Sequence, residues 1–249
     1  MIISRNLLRA SIAGSLALAL AACNSAEDDA LAEAAPIAAI AAPVGQQWAD
    51  ITTTTDRGGY VLGNPDAPIK LVEYGSLTCP GCAGFSVQAS EPLRTKYIST
   101  GRVSLEFRSF AIHGPIDLAL TRLITCGAPE AVHPLSEQIW ANLGEIQQRA
   151  YADPAALEAA LQQPETQRFV SFAQVAGLYD FFTARGISED QAKACLADWP
   201  AMQKLADFTQ SYAQDDKITG TPTFLLNGRQ LDDSSWPAVE AALQRAGAR

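Results

Sequence analysis

The feature that most constrains this chain is a tetrapeptide, Cys79-Pro80-Gly81-Cys82, set between two segments of different periodicity. Before it, Ile69 to Tyr74 is a short, mostly apolar run bounded by Pro68 and Gly75, which predicts a strand buried on both faces. After it, Phe85, Ala89, Leu93 and Tyr97 recur at every fourth position and predict a helix with one buried stripe, kinked at Pro92. A Cys that opens a helix meets free backbone N–H groups and the positive end of the helix dipole, and both favour its thiolate. Cys79 is therefore the expected nucleophile. Cys82, one turn further in, is placed to resolve a mixed disulfide, so the pair would cycle between dithiol and disulfide.

The rest of the body builds a mixed fold around that motif. Val103, Leu105 and Phe107 alternate with Ser104, Glu106 and Arg108, a period of two that predicts a second long strand. From about 116 to 215 the composition turns to Ala, Leu, Gln and Glu, with Asp153-Pro154 and Ser188-Glu189-Asp190-Gln191 as helix starts. Thr223 to Leu226, Asn227-Gly228 and Arg229 to Leu231 predict a hairpin with a type I′ turn, and a last helix runs from Ala238 to about Arg245. There is no internal repeat and no nucleotide-type Gly-rich loop. The 249 residues, 48% hydrophobic and 18% charged, suit one globular core with a tail and an insertion. With 18 basic against 27 acidic residues and no basic run, long phosphate contacts have no source, so nucleic acid is not an expected partner.

The N-terminus has targeting character. Arg5 and Arg9 precede an apolar stretch from Ala10 to Ala22 that is too short and Ala-rich for a spanning helix, so residues 1–22 read as a signal peptide. Leu20-Ala21-Ala22-Cys23 resembles the lipobox of bacterial lipoproteins, in which the Cys is lipidated; a generic signal peptide with an incidental Cys is the alternative. Cleavage there removes Arg5 and Arg9 and leaves 16 basic against 27 acidic residues, net -11. Residues 23–58, rich in Ala and Pro with an acidic patch at Glu27, Asp28 and Asp29, are expected to form a flexible tether, with partial order around Trp48 as the alternative. The folded body is then 59–249. Five Cys occur, at 23, 79, 82, 126 and 195, and lipidation of Cys23 accounts for the odd count. Two bridges, Cys79 with Cys82 and Cys126 with Cys195, are the simplest reading of the other four. A four-thiolate zinc site is the alternative, against which the second pair lacks the C-x-x-C spacing.

About 140 residues after the Cys motif stands Gly220-Thr221-Pro222-Thr223-Phe224. With both motifs in this strand and helix context, roughly residues 59 to 246 resemble the DsbA-like branch of the thioredoxin superfamily. The resemblance implies an α/β, thioredoxin-like fold with the helical block inserted, acting as a monomer in thiol:disulfide interchange with no cofactor and no metal. It implies that Pro222 is cis and sets the Thr221 backbone beside Cys79 to pair with an extended substrate; an ordinary trans Pro opening an edge strand is the alternative. Glu73 resembles the acid that similar proteins use for proton transfer at the buried Cys, and a carboxyl there should have a raised pKa; otherwise it is a strand-end Glu reaching water. Cys126 and Cys195 correspond to a second, structural disulfide of some similar proteins, or to a redox relay.

One departure bears on direction. The motif centre is Pro80-Gly81, whereas strongly oxidising relatives have His at the second place, so the Cys79 thiolate should be less stabilised here. The only two histidines, His113 and His133, are expected at the surface or in packing, and Trp140, Trp199 and Trp236 as core or groove aromatics. The leading expectation is a lipid-anchored, periplasm-facing oxidoreductase of the bacterial cell envelope that donates its disulfide to exported polypeptides and is served by a membrane redox partner. The alternatives are a reductase or isomerase, and a thiolate metal-binding module, which the scarcity of Met (1 and 202) and His speaks against. Asn24, in place of an Asp after the lipidated Cys, leans toward the outer membrane.

Overall fold

The run from Ile69 forms the central strand of a mixed sheet in the computed structural model, which describes residues 33–249. The expected signal peptide and Cys23 lie outside the described residues. The strands are β1 (Thr52–Thr54), β2 (Tyr60–Gly63), β3 (Ile69–Gly75), β4 (Val103–Ser109), β5 (Thr223–Leu226) and β6 (Arg229–Gln230), in the order β1-β2-β4-β3-β5-β6. β3 and β4 are parallel and the other pairings antiparallel. The β5–β6 turn has positive φ at Asn227 (50°) and Gly228 (84°), as a type I′ turn requires. Side chains alternate across β3: Leu71 packs with Phe85 and Val239, whereas Tyr74 packs with Tyr212 on the opposite face. Glu73, two residues from Leu71, shares its face.

Helix α1 (Pro80–Pro92) follows β3 and buries Phe85 and Ala89. The expected kink takes a specific form: α1 ends at Pro92, and Leu93–Tyr97 is a π turn. Proline has no N–H to give the carbonyl four residues back, and the widened turn keeps Leu93 and Tyr97 facing the core. Between β4 and β5 come the inserted helices: α2 (Pro115–Ile124), α3 (Val132–Ala141), α4 (Leu143–Ala150), α5 (Pro154–Leu161), α6 (Glu165–Val175), α7 (Leu178–Thr183), α8 (Glu189–Ala197) and α9 (Trp199–Gln214). Their shared core runs from Leu120 and Leu123 through Phe172 and Phe182 to Leu77 and Cys82, so the insertion packs directly against the Cys motif. α10 (Trp236–Arg245) closes the other face. A disulfide joins Cys126, just after α2, to Cys195 in α8, 69 residues apart; a loop of that length stabilises by about 4 kcal/mol. With those sulfurs bonded to each other, the four-thiolate zinc alternative falls.

The tether expected over 23–58 is corrected for its described part. Ala34 N–H donates to Arg245 O (2.8 Å), Ile37 N–H to Gly247 O (2.9 Å) and Ile40 N–H to Thr100 O (2.8 Å), so this segment lies along the body. The Trp48 indole N–H donates to Ile40 O (2.8 Å), and its ring lies where a Cβ on Gly101 (φ 70°) would stand. The β-branched Thr run pairs as β1 against β2, Thr53 opposite Val61. Composition hid these contacts because most of them are backbone hydrogen bonds, which Ala and Pro-rich sequence does not advertise. A chain starting at residue 59 is expected to melt about 5 °C or more below one starting at residue 33, at about 2–4 °C per kcal/mol. Equal melting temperatures by circular dichroism would restore the tether.

Candidate active site

Cys79 is the N-cap of α1, with its carbonyl accepting from Ala83 N–H (3.1 Å) and Pro80 at the first helical position. Pro fits there because that N–H has no intrahelical partner. Cys79 is 7% exposed and Cys82 0%, and both are free thiols. The Cys82 thiol hydrogen-bonds the Cys79 sulfur and is the main reason that the Cys79 pKa falls to about 5. Burial opposes the fall, while Thr221 and the N–H groups of Cys82 and Gly81 reinforce it. The same hydrogen bond, with burial and the Glu73 charge, drives the Cys82 pKa far upward. One sulfur is thus held as a thiolate and the other as a thiol. The low Cys79 value arises without His at position 81, from the partner thiol and the helix N-terminus.

The Thr221–Pro222 peptide bond is cis. Because β5 runs antiparallel to β3 with Thr223 opposite Tyr74, its entry falls beside the turn that opens α1. Cys79 Sγ lies 3.3 Å from Thr221 O, and a Cβ on Gly81 would stand 3.1 Å from Pro222 Cδ. The buried Thr221 hydroxyl, otherwise unpartnered, is the group that can turn to the sulfur once it is a thiolate. Upstream, Asp216 accepts from Tyr74 OH (2.7 Å) and Arg57 Nη2 (2.5 Å), which pins the chain leading into the loop to β3 and to the N-terminal segment.

Glu73 does not reach water: it is 4% exposed beneath α1. Burial, and secondly the charge at Cys79, push its carboxyl up to about 8, and its Oε1 has no partner among the described residues. Register explains the placement, since Glu73 lies between Phe107 of β4 and Phe224 of β5 on the face opposite Tyr74.

A polar cluster that the sequence did not announce holds the turn before Cys79. Asp117, 0% exposed, accepts from Thr78 N–H (3.1 Å), Thr78 OH (2.7 Å), Ser76 OH (2.9 Å) and His113 N–H (3.0 Å). Trp140 N–H donates to Ser76 O (3.0 Å) and Gln147 to Thr78 O (3.0 Å), so α2, α3 and α4 all grip the turn. His113, expected at the surface or in packing, has Nδ1 2.8 Å from Thr78 Oγ1, one residue from the nucleophile. The only local signal was the Ser and Thr content of Ser76-Leu77-Thr78; Asp117, about forty residues on, looked like any acid in a helix's first turn. His133 is a packing residue, with its ring 2.9 Å from Tyr60 O and its pKa lowered to about 4 by burial. Among the described residues no three His, Cys, Asp or Glu side chains are gathered as metal ligands.

A thiolate at a helix N-terminus, a resolving thiol one turn below and a cis-Pro loop across from both define a DsbA-like thiol:disulfide oxidoreductase of the thioredoxin superfamily. A family model described as thioredoxin matches residues 55–245, and the chain belongs to that family. A Rickettsia bellii protein named as a protein-disulfide oxidoreductase is 28% identical over 196 residues, 79% of this chain and 67% of that one. The similar Rickettsia typhi protein is covered over 64% of its length, so the chain spans about two thirds of these relatives. The crystal structure of a protein-disulfide isomerase from Novosphingobium aromaticivorans is 26% identical, with a TM-score of 0.69, covering 75% of this chain and 95% of that chain. Alpha-DsbA1 of Wolbachia pipientis shares the fold at 23% identity and a TM-score of 0.54, over 71% of this chain and 77% of that one.

Proposed function

We propose that the protein is a disulfide donor of the bacterial cell envelope, held at a membrane surface by lipid on Cys23 and acting on exported polypeptides. A substrate thiolate attacks the Cys79–Cys82 disulfide at Cys79 and frees the Cys82 thiolate, which takes a proton from Glu73. A second substrate thiolate then attacks the substrate sulfur of the mixed disulfide and expels Cys79. The extended substrate pairs with the Thr221 backbone beside Pro222, Pro80 and Gly81 shape the opening of the helix, and the Cys126–Cys195 disulfide is structural. A membrane redox partner withdraws the two electrons. The lipid attachment is read from Leu20-Ala21-Ala22-Cys23, and no helix among the described residues is long and apolar enough to cross a membrane.

The observation that carries the direction is the placement of the Cys79 sulfur at the N-terminus of α1 with the Cys82 thiol and Thr221 against it, which lowers its pKa to about 5. A low pKa makes Cys79 a good leaving group, which favours release of the substrate's new disulfide. It also stabilises the reduced enzyme and so makes its disulfide more oxidising. The isomerase reading draws on the likeness to the Novosphingobium structure. Equilibration of the full chain with glutathione, following both Cys pairs by mass, tests the direction. A potential near or above about -180 mV is expected, with Cys126–Cys195 remaining bridged. A value near about -270 mV, the thioredoxin range, would overturn the donor role. Scrambled-substrate refolding without added oxidant then separates isomerase from oxidase.

A further inference from the structure

An ordinary Cys thiol, with a pKa of about 8.5, is about 3% thiolate at pH 7, so a substrate that attacks the Cys79–Cys82 disulfide has first to lose a proton. Glu73 is buried beneath α1, where its charge acts on Cys82. The incoming thiol needs another acceptor. Two loops flank Cys79 at the end of β3: the Thr221–Pro222 entry to β5 on one side, and the loop that follows β4 on the other. Phe110 N–H donates to Gly75 O (2.8 Å), which holds this second loop beside the turn Ser76–Thr78. It carries His113, whose side chain is 45% exposed.

The hydrogen bonds around that ring assign its tautomer. The Thr78 hydroxyl has one proton and gives it to Asp117 Oδ1 (2.7 Å), while the Ser76 hydroxyl gives its own to Asp117 Oδ2 (2.9 Å). Asp117 also takes the backbone N–H groups of Thr78 and His113, so its oxygens act as acceptors throughout. His113 Nδ1, 2.8 Å from Thr78 Oγ1 and 3.3 Å from Ser76 Oγ, thus faces hydroxyls whose protons are already placed, and only an N–H there completes a hydrogen bond. An Nδ1–H leaves the lone pair of the neutral ring on Nε2, which makes no hydrogen bond among the described residues. Tyr151, after α4, is the other titratable group that meets the Asp117 charge; burial first and that charge second push its hydroxyl upward, so it stays a phenol at neutral pH.

We propose that His113 is the general base that takes the proton of the incoming substrate thiol, held in its basic tautomer by Thr78 and Asp117. The inference rests on the reading of the protein as a disulfide donor. As the substrate sulfur bonds to Cys79 Sγ, its proton passes to Nε2, and the electron pair of the Cys79–Cys82 bond leaves on Cys82, which Glu73 protonates. The imidazolium then carries N–H on both nitrogens, with Asp117 Oδ2 3.6 Å from Nδ1 as the opposing charge. Summed over the step, the substrate loses one proton and Cys82 gains one, so no net proton is exchanged with solvent once His113 and Glu73 have returned to their starting forms.

The test uses the oxidised full chain and a reduced dithiol peptide, with the second-order rate of the first turnover followed by stopped flow. His113→Asn keeps a side-chain N–H for Thr78 Oγ1 but has no base, and it is expected to slow the reaction about tenfold at pH 7, below the ceiling of about 30-fold set by the thiolate fraction. At pH 9.5, where about nine tenths of the peptide thiol is already ionised, parent and variant should agree within about twofold. The redox potential should be unchanged. A loss equal at both pH values, or a potential that moves with the rate, would assign His113 to holding the turn and overturn the base. If the parent oxidises the peptide and His113→Asn runs at the parent rate at pH 7, the base alone is overturned; if the parent itself does not oxidise it, the donor reading falls. Independently of rates, a crystal structure of Cys82→Ala disulfide-bonded to a peptide should place Nε2 within hydrogen-bonding reach of the peptide sulfur, directly or through one water. A ring out of that reach would overturn the inference.

Discussion

Replacing Cys79 with Ser will reduce thiol–disulfide exchange to the uncatalysed background, whereas Cys82→Ala, with no disulfide to donate, will let the Cys79 thiolate attack a disulfide-bonded substrate and accumulate stable mixed disulfides with it. The reason is the division of labour between the sulfurs. At a pKa of about 5 Cys79 is about 99% thiolate at pH 7, against about 3% for an ordinary Cys. That gain of about 30-fold is offset by lower intrinsic nucleophilicity, which falls by a similar factor over such a shift. Attack by Cys79 is therefore not accelerated; its departure is. Mass spectrometry of reaction mixtures checks the trap, and a Cys79→Ser variant with measurable turnover would remove Cys79 from the nucleophile's role.

The same substitution isolates a pH effect whose sign is fixed. Cys79 is lowered, so the stability it gives the reduced protein is present above the ordinary Cys value of 9.0 and is lost as pH falls through about 5. Glu73 is raised from 4.5 to about 8, so its contribution is present below 4.5 and is lost as pH rises through about 8. Between about 5 and 8 the two slopes oppose each other in the reduced protein. Cys79→Ser leaves the Glu73 slope uncompensated, and the stability gap from the reduced parent should widen with pH by at most about 1.4 kcal/mol per unit. Urea titrations at several pH values measure it; a gap that narrows with pH would contradict the assignment.

The second large effect is expected at Asp117. Asp117→Ala leaves the His113 N–H without its acceptor and the Thr78 N–H and the hydroxyls of Ser76 and Thr78 with only each other and His113 Nδ1 to bond. Each unsatisfied buried group costs about 1–3 kcal/mol, so even with relaxation the loss should reach about 3 kcal/mol, or about 6–12 °C in melting temperature. The turn from Ser76 to Thr78 sets where Cys79 meets the helix N-terminus, so the Cys79 pKa should rise as well. Thiolate absorbance against pH reads that shift separately from the melt. A melting temperature within about 2 °C of the parent would show that the cluster is not what holds the turn.

Much of the site was legible from residue types at short range. Cys79, Pro80, Gly81 and Cys82 lie between a buried run and a helical stripe, and dipole and free N–H groups act within one turn, so local sequence carries the nucleophile's chemistry. The type I′ turn at Asn227-Gly228 was readable for the same reason, because positive φ at two successive residues selects those residue types. The tether was misread where backbone bonds to Thr100, Arg245 and Gly247 replace side-chain signals. Asp117, Trp140 and Gln147 were missed as site residues because they reach the turn from the inserted helices, and His113 because it reaches it from the loop before α2.

By itself, then, the amino-acid order determined the strand, turn and helix that make Cys79 a thiolate, and the separate Thr221-Pro222 entry that stands across from it. Only the tertiary structure decided that Glu73 points beneath α1 and away from solvent. It alone brought Asp117 under Thr78 and folded residues 33–58 onto the body. The physical reason is range: helix dipole, capping and turn dihedrals act over a few residues. Burial, register and long-range hydrogen bonds depend on segments separated by tens of residues, and no local pattern records which of them will meet.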